Sequence, residues 1–171
     1  MLSTLLVQVP WLAFSILIVV IAIGPFAGAW LAGHPRATTT LFVVAIVGVA
    51  ALTLYPDGAP YATIACSVGL PYLAPTAVES TANILMFVPV AFFATIRWQR
   101  PVLAVLGASA FSALIEVAQA LVLVVGRACD TSDWITNTIG AVIGGIVAAA
   151  GLARRRWSSS RAPAAATKVR R

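Results

Sequence analysis

Residues 101–125 read PVLAVLGASAFSALIEVAQALVLVV. A single ionisable group, Glu116, interrupts a run long enough for the roughly 20 residues with which a helix crosses about 30 Å of hydrocarbon. Pro101 stands in the first turn, where its missing N–H matters least. Ser109, Ser112, Glu116 and Gln119 are spaced 3, 4 and 3, which sets all four on one helical face. The stretch reads as a membrane-spanning helix with one polar side.

Four further apolar runs, at about 11–33, 38–55, 80–97 and 134–153, have comparable length, and Arg97 at the end of the third is the one charge among them. Pro35 and Pro56 bracket the second run, where a helix ends or begins readily. Trp11, Trp30, Trp98, Trp134 and Trp157 each fall near a run's end, as an interfacial aromatic belt requires. The composition agrees, with 61% hydrophobic and 9% charged residues and a mean hydropathy of +0.99, against about 25% charged in soluble domains. A soluble fold is excluded, and the expected class is an all-α polytopic membrane helix bundle of about five transmembrane helices. Residues 1–153 form one membrane domain without an internal repeat. The uncharged N-terminus and the length of the first run argue against a cleaved signal peptide.

Of the eleven Lys and Arg, seven lie in residues 154–171, which hold no acid. This stretch is rich in Arg, Ser and Ala, and is expected to be a disordered tail held near anionic lipid at about 1 kcal/mol per base. Nucleic acid is not an expected partner. With the tail in the cytoplasm, five spans put the N-terminus outside, and Arg36, Arg97 and Arg100 fall inside with only Arg127 outside. The expected location is the cell membrane, in multi-pass form. The connection 57–79 has no Lys or Arg, and its apolar part, Tyr61 to Ala74, is broken by Gly69 and Pro71. It suits a short interfacial or re-entrant segment rather than a sixth span.

An ionisable group at a membrane helix centre costs at least about 2.5–3.5 kcal/mol, so those that remain usually face a bundle interior or a cavity. Glu116 is about nine residues, roughly 13 Å, from the outer end of the 102–125 run. In the last run Asp133, Asn137, Gly140 and Gly144 share a face at spacings of 4, 3 and 4. Gly140 and Gly144 form a GxxxG pair suited to close helix packing. Asn83 opens the third run, and Pro89 leaves the Leu85 carbonyl without a helical donor, so a kink is expected. Together these elements predict one outward-facing polar pocket lined by Asn83, Glu116, Gln119, Arg127, Asp130, Asp133 and Asn137.

Other roles are open to several of these residues. Asn83, Gln119 and Asn137 are also suited to interhelical hydrogen bonding, at about 0.6 kcal/mol each. Arg127 is equally suited to neutralising Asp130 or Asp133. Cys66 and Cys129 fall on the same, oxidising side, either as a disulfide pinning the long loop over the pocket or as two thiols. His34 is a lone loop histidine, and neither a metal nor a cofactor is expected.

The segment Asn83-Ile-Leu-Met-Phe-Val-Pro89, then Glu116-x-x-Gln119, then Arg127-x-x-Asp130-x-x-Asp133-x-x-x-Asn137-x-x-Gly140-x-x-x-Gly144, resembles the VanZ-like family of bacterial integral membrane proteins. The resemblance covers about residues 80–148 and departs at Ala91, where the family usually has Gly; the first two runs and the tail carry no such motif. It implies a cell-envelope context, since the name member is associated with resistance to teicoplanin, which acts on lipid-linked wall precursors at the outer face. No reaction comes with it.

Three functions are compatible with this pattern. The pocket could bind a lipid-linked wall precursor or a phospholipid headgroup, with Arg127 on phosphate, Asn83, Gln119 and Asn137 as further ligand contacts, and Glu116 with Asp133 or Asp130 as acid and base if the ligand is modified. Alternatively Glu116 serves as the relay of a small ion-coupled transporter, with homo-oligomerisation through the Gly140 and Gly144 face. The third reading is a non-catalytic accessory subunit of an envelope enzyme.

Overall fold

Each of the five apolar runs forms one helix: α1 is Trp11–Leu31, α2 Pro35–Leu54, α3 Val78–Trp98, α4 Pro101–Leu121 and α5 Thr131–Arg161. All five are long and apolar enough to cross a membrane. The computed structural model describes residues 9, 11–56, 66–122 and 128–161. Arg127, residues 57–65 of the long connection and residues 162–171 of the tail lie outside these.

Local chemistry sets the turns. Gln99 takes a left-handed conformation (φ 55°) and its N–H caps the Thr95 carbonyl, so α3 stops and Pro101 starts α4 after Arg100. Between α1 and α2, the Thr38 hydroxyl donates to the Leu31 and His34 carbonyls at 2.9 and 3.1 Å. His34 is held there by the Trp30 carbonyl, 2.9 Å from Nδ1.

The parallel helices α3 and α5 form the centre, each 56% buried along its apolar window against 17–22% for the other three. A Cβ on Gly140 would collide with the Ile84 carbonyl of α3, and one on Gly144 with that of Val88. The glycine face, suited to close helix packing, is thus occupied by α3 of the same chain and is closed to the oligomerisation that the transporter alternative would need. Phe87, Ala91 and Ala141 are fully buried at this seam. On the bundle's outside, Leu103, Leu106 and Leu114 of α4 are more than half exposed, as a lipid-facing surface requires.

Three boundaries differ from the sequence reading. Helix α4 ends at Leu121, so Glu116 is five residues, about 8 Å, from its end rather than about 13 Å. Residues 154–161, expected to be disordered, continue α5. Arginines near a helix C-terminus favour its dipole, and Ser158, Ser159 and Ser160 satisfy their hydroxyls on the Arg154, Arg156 and Trp157 carbonyls of the preceding turn. The described part of the long connection, residues 66–77, forms no helix. It starts with β1, Cys66–Ser67, which pairs in parallel with β2, Cys129–Asp130.

Candidate functional site: an acidic cavity beneath a disulfide

The two strands precede the two central helices, and a Cys66–Cys129 disulfide joins them with their Cα atoms 4.5 Å apart. Asp130 follows directly and acts as the N-cap of α5, accepting the Ser132 N–H at 2.7 Å on Oδ1. Its Oδ2 accepts the Ser67 hydroxyl at 2.7 Å. Its own N–H donates to Glu116 Oε2 at 2.8 Å. One residue thus ties together the long connection, α4 and α5. Burial opposes the charge on Asp130, but the hydrogen bonds from Ser67 and Ser132 outweigh it and hold the carboxyl below its ordinary value of 3.8. Thr131 adds a second tie to the connection, bonding the Gly69 N–H and carbonyl at 3.0 and 3.1 Å.

A cavity of about 160 Å³ opens here, lined by Ala113, Glu116, Cys129, Asp130, Thr131 and Trp134. Glu116 is only 9% exposed and borders this cavity, whose open surface is almost wholly apolar. The Trp134 indole, held by a 3.3 Å bond from Nε1 to the Ser109 carbonyl, forms one wall. Among the described residues no group of three His, Cys, Asp or Glu is arranged to hold a metal ion. Glu116 Oε2 and both Asp130 carboxylate oxygens are engaged in internal hydrogen bonds at its edge.

The remaining residues of the expected pocket are distributed around this cavity rather than in it. Asn83 on α3 donates to Asp133 Oδ1 at 2.8 Å, joining the starts of the two central helices. Gln119 turns towards α2 and donates to the Thr53 carbonyl at 2.9 Å. Asn137, 2% exposed, donates to Ser112 Oγ at 2.9 Å, while its Oδ1 has no partner among the described residues. One turn on, Ser109 and Thr138 hydroxyls pair at 2.9 Å. Asn83, Gln119 and Asn137 thus all stitch helices together.

Sequence reasoning missed Ser67, Thr131 and Trp134. Thr131 was legible in principle, because an Asp at the start of a long apolar run marks a helix N-terminus whose first-turn hydroxyls are at the surface. Nothing in the local pattern around Ser67 signals a two-residue strand.

The VanZ/LLP1 family model matches residues 11–153. The match includes α1 and α2, for which the motif-level resemblance gave no sign. No curated protein and no solved structure matches the chain. With one family model spanning all five helices as far as Ala153, the chain belongs to the VanZ/LLP1 family of membrane proteins.

Proposed function

We propose that the disulfide-capped cavity faces outward and binds the polar headgroup of an envelope amphiphile, a lipid-linked wall precursor or an amine-bearing phospholipid. The observation that carries this reading is Glu116, a carboxylate seated in a membrane helix yet lining a cavity with Asp130. A buried membrane carboxylate is expensive unless it serves a site. Carboxylates accept from hydroxyls and attract ammonium groups, and the exposed part of an indole face supports either a sugar ring or an alkylammonium. The small volume, about 160 Å³, suits one headgroup unit while the ligand's hydrocarbon stays in the bilayer beside α4. Arg127, three residues before Asp130, supplies the cation for a neighbouring phosphate. The positive-inside distribution, ten of the eleven Lys and Arg in the tail and the connections expected on its side, supports the outward orientation, and any link to glycopeptide resistance would act through the bound precursor.

Lipid extracted from the purified protein and identified by mass spectrometry tests this reading. A headgroup class rich in hydroxyls or amines should be enriched over the surrounding membrane. A lipid profile equal to that of the bulk membrane would refute it.

A further inference from the structure

At the opposite end of the bundle, α2 and α4 stand apart and leave a cavity of about 630 Å³ with α3 as its floor. Its walls are apolar: Phe42 and Ile46 from α2, Ala94 and Trp98 from α3, Leu103 and Phe111 from α4. Arg100, in the turn between α3 and α4, is the one charged residue that lines it. The volume is within the range of about 300–1,000 Å³ typical of ligand sites.

The shape matches one kind of occupant. From Arg100 to Phe111 the wall runs eleven residues, about 16 Å, close to half of a hydrocarbon core about 30 Å thick. The groove is therefore one leaflet deep and carries its charge at headgroup level. Trp98, set edge-on to Phe42 with ring centroids 5.1 Å apart, stands at the same level. Arg97, one residue before Trp98, donates from Nε to Thr39 Oγ1 at 3.1 Å, and Arg36 lies in the first turn of α2. The described acids Glu79, Glu116, Asp130 and Asp133 are all at the other end of the bundle. The groove also stays open by composition, since a Cβ on Gly107 would meet nothing within 4 Å.

We propose that this groove binds one anionic phospholipid of the leaflet at the arginine end, with an acyl chain along α3 and the phosphate against Arg100. The inference does not rest on the acidic cavity, which occupies the other end of the bundle.

Native mass spectrometry of the full chain in detergent, titrated separately with phosphatidylglycerol and phosphatidylcholine, tests it. The wild type should retain one phosphatidylglycerol in preference to phosphatidylcholine. Arg100→Ala should weaken phosphatidylglycerol about five-fold and phosphatidylcholine less, because its choline already offsets the phosphate charge. Gly107→Phe, placed in open space, should abolish the preferential retention of phosphatidylglycerol without lowering thermal stability. Equal retention of the two lipids, insensitive to Arg100→Ala and Gly107→Phe, would overturn the proposal. A dimer that Gly107→Phe dissociates would overturn it as well, by giving the groove to a second copy of the chain.

Discussion

The backbone N–H of Asp130 donates to Glu116 Oε2 across 2.8 Å, so the carboxylate in α4 and the residue that caps α5 form one unit. Asp130 also accepts from Ser67 beside the disulfide, and the long connection is thereby coupled to the buried acid. The site's geometry depends on this chain of contacts more than on any single helix.

The disulfide should carry much of that coupling. It closes a sequence separation of 63 residues, and bridges of this kind contribute about 2–4 kcal/mol. Cys66→Ser or Cys129→Ser should lower the thermal midpoint in detergent and expose the 66–77 segment to protease. In the wild type, thiol labelling before reduction should modify neither cysteine; labelling of both would contradict the bond.

Acid should loosen the same region. Asp130 has a folded-state value below its ordinary 3.8, so its contribution is fully present above that value and is lost as the pH falls through the lowered one. Thermal midpoints measured downwards from pH 6 should hold until the aspartate range and then fall. Asp130→Asn should lower the midpoint at pH 6 and flatten the acid limb; a limb unchanged in that variant would contradict the assignment.

Gly140 and Gly144 allow no side chain, because the obstacle at each is backbone carbonyl of α3. Gly140→Val or Gly144→Val should cost about 1–3 kcal/mol or more by overpacking and abolish a monodisperse peak on size exclusion. Gly107→Ala, in open space, is the matched control and should be neutral.

These predictions divide along what the sequence could and could not specify. The spans were legible because apolar runs of about 20 residues with at most one charge fit a membrane-crossing helix, and the Gly140–Gly144 pair lies at a close seam with α3. Periodicity assigned Gln119 and Asn137 to faces, but a face does not name its partner: Gln119 meets Thr53 of α2 and Asn137 meets Ser112 of α4. Sequence alone assigns both to the pocket, because polar atoms in an apolar span look alike whether they bind a ligand or a neighbouring helix. The pairing of Cys66–Ser67 with Cys129–Asp130 was invisible, since two residues hold no pattern. Arg154 to Arg161 misled because composition suggested disorder where α5 still had carbonyls to satisfy.

Orientation is open to a direct check. A C-terminal green fluorescent protein fusion should fluoresce and a C-terminal alkaline phosphatase fusion should be inactive, as the arginine-rich end predicts. The reverse pattern would invert the bundle and place the acidic cavity in the cytoplasm.

The central claim is that Glu116 serves a ligand. Quantifying the lipid that copurifies with the wild type, Glu116→Gln and Gln119→Ala tests it most directly. Losing a hydrogen bond to a charged group is worth about 1.5–3 kcal/mol, so the enriched headgroup class should fall at least about ten-fold in Glu116→Gln and persist in Gln119→Ala. Equal enrichment in all three proteins would contradict the account.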